Sequence, residues 1–421
     1  MTDFALKQRW DIFCKIVDNF GDIGVCWRLA RQLHFEHGLQ IRLWIDNLEA
    51  AQKIIPSLNV AEIAQVCEEI IINKWSAEAD FSQAADVVIE TFACELPIAY
   101  LAAMVHKKTK WVNLEYLSAE TWVADFHAKP SPQNFLNSNH GLTRYFYFPG
   151  FTEATGGLIR ETYIEAQLQS LNNPLPQAGE GARQRGRGVV YVDLDIAPLS
   201  NLSAANGGEA FTADELETSI SVRPELVEGQ GDLKISLFCY PHAPIPALFD
   251  ALAASSQVIN CYVPASSILQ QIADFFGKTT VAAGDVLMQK NLTVEILPFL
   301  SQADYDQLLR ECDLNFVRGE DSWVRAIWAG KPFIWQPYFQ DESAHIKKLT
   351  AFLDLFYADF EPKKVVCEAH SSWVSEQFCT RTWQTYLENI AAINAFTIQQ
   401  SKKLAHQTDL ATKLVIFCNQ L

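Results

Sequence analysis

The chain has 421 residues, 49% of them apolar, and 33 Lys+Arg stand against 50 Asp+Glu for a net charge of −17. That apolar share fills two or three domains of about 150 residues each and excludes a mostly disordered chain. The acidic balance repels phosphate backbones and anionic lipid headgroups, which disfavours general nucleic-acid or membrane-surface binding; any anion site must be built locally.

The most apolar run, Ala84 to Val105, is interrupted by Asp86, Glu90 and Glu95 and does not read as a membrane span. The opening MTDFALKQRWDIF lacks a basic region followed by an apolar core and a cleavage site, so a cytoplasmic protein is expected. The ten cysteines form no CxxC and are expected to be reduced, small hydrophobes. His34 and His37 share a predicted helix but no carboxylate or cysteine cluster joins them, so no metal site is expected.

In chain order, Trp10 to Val17 reads as a buried strand and Val25 to His34 as a helix. Strands follow at Ile41–Ile45 and Ala85–Ile89, then a helix from about Leu96 to His106 and a strand at Lys110–Leu114. The alternation resumes with strands at Leu233–Cys239, Val258–Val263, Leu292–Leu297, Asp313–Val317 and Lys331–Tyr338. Predicted helices at Ile245–Ala254, Ser266–Phe276, Ala303–Cys312 and Ser322–Ala329 separate them; another begins near Glu342, and helical pattern runs to Leu421. Strands alternating with helices imply parallel sheets covered on both faces.

From about Ala166 to Gly231 the periodicity fades into NNPLPQAGEGARQRGRG and NGGEAF, which reads as a flexible insertion or linker. Arg183, Arg185 and Arg187 read as solvated linker, and Asp193-Leu194-Asp195 as a chance DxD. The expected layout is a first domain over 1–165, a segment over 166–231, a second domain over 232–394, and a tail over about 395–421 that packs back onto the first. Two doubly wound domains would face a cleft, with ligands at the carboxyl ends of strands.

Four stretches at such ends could carry chemistry. Val17-Asp18-Asn19-Phe20-Gly21-Asp22-Ile23-Gly24 joins a strand to a helix; one helix cap explains one aspartate but not two, and a carboxylate pair suits a cationic substrate or a general base. Arg318-Gly319-Glu320-Asp321-Ser322 opens another helix, whose free amides suit phosphate; an ordinary cap is the alternative. Phe238-Cys239-Tyr240-Pro241 offers aromatic faces for a base, or core packing. Glu115 to Glu120, Lys129 to Gln133 and Tyr145 to Phe151 form polar, Pro-rich and aromatic loops suited to a partner surface, or to loop filling.

WDIFCKIVDNFGDIGVCWRLARQL, VNLEYLSAE, KPSPQ, GFTEATGGLIRE and VRGEDSWVRAIWAGKPFIWQPYFQDE together resemble the EarP family of bacterial protein-arginine rhamnosyltransferases. The likeness touches residues 10–164 and 233–350. It implies an α/β fold of GT-B type, two Rossmann-like domains facing a central cleft. It implies dTDP-β-L-rhamnose as donor, an arginine of elongation factor P as acceptor, inversion at the sugar, no cofactor and no metal. Asp18, Asp22 and Glu320 match the family's catalytic carboxylates, with Asp22 favoured as general base. Phe238, Tyr240, Gln302, Tyr305, Glu320, Asp321 and Ser322 match its nucleotide-sugar positions, Tyr305 standing where the family often has Phe. The alternatives are another GT-B sugar-nucleotide enzyme, epimerase-like, or a non-catalytic protein that binds a sugar nucleotide or a protein partner.

Overall fold

A computed structural model describes residues 8–18, 20–133, 141–171, 232–375 and 377–421. Arg183, Arg185, Arg187 and the Asp193–Asp195 tripeptide lie outside them.

The first sheet has eight strands in the order β3-β4-β2-β1-β5-β6-β8-β7: β1 Arg9–Cys14, β2 Gln40–Ile45, β3 Ala64–Cys67, β4 Ile70–Lys74, β5 Val87–Thr91, β6 Lys110–Leu114, β7 Pro130–Pro132 and β8 Thr143–Tyr147. Its six central strands pair in parallel, and antiparallel β3 and β7 close the edges. The second sheet runs β11-β12-β10-β9-β13-β14, with β9 Leu233–Leu237, β10 Ile259–Pro264, β11 Val286–Gln289, β12 Leu292–Leu297, β13 Leu314–Arg318 and β14 Phe333–Gln336. Here too the central strands are parallel and β11 is antiparallel. Strand order reverses between β1 and β5 in one sheet and between β9 and β13 in the other. Those switch points open crevices beyond the carboxyl ends of the strands.

Five strands were not anticipated as such: β3, β4, β7, β8 and β11. β3 and β11 belong to hairpins whose turns hold Glu68, Glu69 and Lys290 at positive φ, without the glycine or asparagine-glycine signature that marks a hairpin in sequence. The stretches read as loops are partly strand: Thr143–Tyr147 is β8, paired in parallel with β6, and KPSPQ contributes edge strand β7. Helix α5 spans Thr162–Ser170, across the boundary expected at Ala166, and buries Ile164 and Leu168 in the core of the second sheet. Near the end, α13 (Ile390–Ala405) also stays with that core; only α14 (Leu410–Gln420) crosses to the first, seating Leu410, Ala411, Leu414 and Cys418 there. Asp409 caps α14 by accepting from the Thr412 N–H, and the Leu410 N–H donates to the Leu158 carbonyl, so the crossing is hydrogen-bonded at its corner.

A buried charge cluster joins the halves. Arg28, on α1 (Gly21–Phe35), donates to both oxygens of Asp306 at 2.9 and 3.1 Å and through Nε to Asp321 at 2.7 Å. Arg325, on α9 (Asp321–Ala329), reaches Asp306 at 2.7 Å and Glu161 at 2.6 Å. Burial opposes the ionised form of Asp306, yet Arg28 and Arg325 together hold its carboxyl below the usual range. Each guanidinium has a planar fork that matches a carboxylate, and Asp306 receives two of them. Arg28→Met should therefore strand buried carboxylates and cost about 3–5 kcal/mol. Urea unfolding of the two proteins checks this, and a loss under about 1 kcal/mol would show that the cluster contributes little.

Candidate functional site

The site begins in the loop between β1 and α1. Asp22 is the second residue of α1, and its Oδ2 accepts the backbone N–H groups of Val17 (2.7 Å) and Asp18 (2.9 Å). The carboxylate thus folds its own loop around itself and is 3% exposed. Burial lifts its pKa to about 6; the two backbone hydrogen bonds oppose the rise, and the neighbouring Asp18 and Glu320 add to it. A carboxylate poised there is ionised near neutrality and basic enough to take a proton.

Asp18 turns to the other half. The Tyr240 hydroxyl donates to its Oδ2 at 2.5 Å, and burial pushes the Tyr240 phenol far above its usual range, so it stays the donor. Burial raises the Asp18 carboxyl too, against the pull of Tyr240 and Arg318. The approach is close enough to demand glycine on both sides. A Cβ on Gly21 would lie 2.8 Å from Asp18 Oδ2, and one on Gly319, already at φ +60°, would lie 2.9 Å from the same oxygen.

Two adjoining chambers meet at Asp18 and Gly21. The first is lined by Phe20, Arg28, Phe238, Phe299, Gln302, Tyr305, Arg318, Asp321 and Ser322. The second is lined by Asp22, Val25, Phe92, Tyr116, Gly319, Glu320, Trp335, Tyr338 and Lys348. Of the sequence-predicted residues, Asp18 serves both chambers, Asp22 and Glu320 fall in the second, and Phe238, Gln302, Tyr305, Asp321 and Ser322 fall in the first.

Several of them have engagements that sequence did not disclose. The Ser322 hydroxyl accepts the Arg318 N–H at 3.0 Å and donates to the Arg318 carbonyl, so it caps the turn. Asp321 is bound to Arg28. Tyr240 offers no open ring face for a base: the Arg318 guanidinium lies 4.5 Å from its centroid, and His242 stacks on it at 5.8 Å. Its task in this structure is to hold Asp18 and Arg318. Gln302, first in α8 (Gln302–Glu311), donates to the Gly24 carbonyl at 3.1 Å and leaves its buried Oε1 without a partner.

Sequence reasoning did not single out Arg318 within its own motif. Its guanidinium sits 4.5 Å from the centroids of both Phe238 and Tyr240 and lines the first chamber. Its place at the carboxyl end of β13, before a left-handed glycine, was the available signal. Arg28 and Lys348 carried none. Tyr116, read as part of a partner surface or as loop filling, lines the second chamber, stacked on Phe92 at 4.3 Å.

A family profile described as elongation factor P rhamnosyltransferase EarP matches residues 10–419. This chain belongs to the EarP family. It is 37% identical over 416 residues to a protein-arginine rhamnosyltransferase of Pseudomonas putida, covering 98% of this chain and 99% of the relative. Identity to the Pseudomonas aeruginosa protein-arginine rhamnosyltransferase is 42% over 351 residues, 83% and 82% of the two chains. A solved structure concerned with EarP-mediated arginine glycosylation of translation elongation factor EF-P superposes with a TM-score of 0.61 at 28% identity, covering 98% of this chain and 99% of that one. Arabidopsis thaliana UGT89C1, solved with UDP, shares the fold at TM-score 0.50 and 11% identity, covering 98% and 99%. The architecture is GT-B, and EarP-family membership spans both halves and the crossing tail.

The raised proton affinity of Asp22 carries a stability cost. Its folded pKa lies above its unfolded value, so ionisation disfavours the folded state above about pH 6 and the cost disappears once the group is protonated in both states. Asp22→Asn should gain ~1–3 kcal/mol at pH 7.5 and lose that gain by about pH 4. Thermal melts of both proteins across that range check it; a gain that does not vary with pH would separate it from ionisation.

Proposed function

We propose that the protein transfers L-rhamnose from dTDP-β-L-rhamnose to an arginine side chain of elongation factor P, with inversion. The observation that carries the reading is the pair of adjoining chambers, one holding Arg318 among aromatic and apolar walls, the other holding Asp22, Asp18 and Glu320 beside stacked rings. In this reading the second half, about residues 232–394, takes the nucleotide sugar, and the first, up to about 165, presents the acceptor arginine to the donor.

The chemistry accounts for the residues. A guanidinium stays protonated in proteins and its nitrogen lone pairs are delocalised, so it is a poor nucleophile. Carboxylates on its fork localise it, and Asp22 accepts the Nη proton as nitrogen bonds to C1 of the sugar. In the same displacement the C1–oxygen bond breaks and the electron pair leaves on the diphosphate. Arg318 and the free amides at the start of α9 face the charge that develops there. Phe238, Tyr305 and the unpartnered Gln302 Oε1 suit a base, with its flat faces and hydrogen-bonding edge. The donor is consumed as a substrate, and no cofactor enters the scheme. No helix among the described residues is long and apolar enough to cross a membrane. We place the protein in the cytoplasm, where a translation factor would meet it.

Incubation of elongation factor P with this protein and dTDP-rhamnose, followed by intact-mass and peptide analysis, should show one deoxyhexose on an arginine. An unmodified acceptor alongside a converted sugar nucleotide would favour the epimerase-like alternative. Asp22→Asn should cut single-turnover rhamnosylation by about 10²–10⁴-fold. Calorimetry with dTDP-rhamnose on the same preparation should show unchanged donor affinity; lost affinity would move Asp22 into the sugar site.

A further inference from the structure

We propose that Lys348 is a positioning residue that holds the Glu320 carboxylate toward the acceptor chamber and couples it to the Phe92–Tyr116 stack. The proposal rests on the reading above in which Glu320 works on the acceptor.

Lys348 lies on helix α10 (Ala344–Phe356), which belongs to the second half. Its Nζ donates to Glu320 Oε1 at 2.6 Å, with the side chains 13% and 15% exposed. The other oxygen, Oε2, accepts the Leu117 N–H at 3.0 Å, from the loop that follows β6 in the first half. One donor on each oxygen orients the carboxylate, and each oxygen keeps a further lone pair for a third group. The same ammonium sits 5.5 Å from the Tyr116 ring centroid, and Tyr116 stacks on Phe92 with 9° between the planes. Phe92 holds φ at +56°, a conformation a bulky aromatic residue adopts only when its surroundings impose it. Lys348 therefore touches both walls of the chamber, the acidic one and the aromatic one.

Charge supplies the second argument. Among the residues lining this chamber, Lys348 is the one cation beside the carboxylates Asp18, Asp22 and Glu320. Asp22 faces Asp18 from its own loop, Glu320 from the β13–α9 turn, the Tyr116 phenol from the loop after β6 and the Cys14 thiol from β1. An ammonium on Glu320 offsets that nearby negative charge, so its loss leaves Asp22 beside an uncompensated carboxylate and raises its hold on a proton. A salt bridge that served packing alone would leave the pH dependence of turnover in place.

The test compares Lys348→Met, Lys348→Gln and Lys348→Arg in the full chain, with Glu320→Gln alongside. It reads kcat and acceptor KM from pH 5 to 9, donor affinity by calorimetry, and folding by thermal melt. Lys348→Met should lower kcat at neutral pH by about tenfold and move the acid limb up by ~0.5–1 pH unit, with donor affinity within about twofold. Lys348→Gln, a neutral donor, should show the same shift and stands in should the Met variant fail to fold. Lys348→Arg should restore most of the rate and the original limb. An unmoved acid limb in the neutral variants, or no recovery with arginine, overturns the proposal. Full turnover in Glu320→Gln removes the assigned work of Glu320 and the proposal with it. An inactive Glu320→Gln beside unaltered neutral Lys348 variants overturns the proposal alone.

Discussion

Everything at the cleft depends on the two arginines that share Asp306. Arg28 comes from the first helix of the first half, six positions after Asp22 and ten after Asp18, while Arg325 comes from the helix that follows Gly319. Both forks close on one carboxylate, with Glu161 and Asp321 completing the set. In a GT-B fold each half has its own sheet and core, and the site exists only where the halves meet. Directional, buried ion pairs fix that meeting more sharply than apolar contact, because a small displacement would leave charges without partners. The cluster spans α1 and α9, the helices that begin at Gly21 and Asp321, so it sets the distance between the two turns that carry Asp22 and Glu320.

The close approach has consequences at the backbone. Asp18 reaches across to Tyr240 in a space left by Gly21 and Gly319, and any larger residue at either position would collide with the carboxylate. The same enclosure strips water from Asp22 and holds its pKa at about 6. A group made basic by burial destabilises the fold that buries it, and surrounding packing must offset the cost. Trp323 stacked on Trp335 at 3.6 Å, beneath the Gly319–Ser322 turn, is part of that packing: the Trp335 indole N–H also donates to the Gly319 carbonyl at 2.7 Å. The turn is held from below by rings and from across the cleft by the Leu117 N–H on Glu320 and the Arg28 guanidinium on Asp321.

The crossing tail gives the halves a second connection. Asp409 caps α14 and also accepts from Gln32 on α1 at 3.0 Å, and the Lys110 ammonium donates to the Cys418 carbonyl at 2.7 Å. Residues far apart in sequence thus stitch the last helix to the first sheet. Glu161, just before α5, joins the charge cluster through Arg28, and the chain re-enters the first half at Leu410, whose N–H donates to the Leu158 carbonyl.

The alternation of strands and helices, the two halves and the strand-end positions of Asp18, Asp22 and the Arg318–Ser322 turn were legible in the sequence, because periodicity and turn residues act between near neighbours. Hairpins turning on Glu68, Glu69 and Lys290 were not, since non-glycine residues at positive φ leave no local mark. Nor were the engagements that define the site. Asp18 meets Tyr240 222 positions away, and Arg28 meets Asp321 293 positions away. No local pattern encodes a pair at that separation. It exists because two independently formed sheets dock in one orientation, and that docking alone decided that Tyr240 holds a carboxylate and an arginine, that Arg28 joins the halves, and that Lys348 stands beside Glu320.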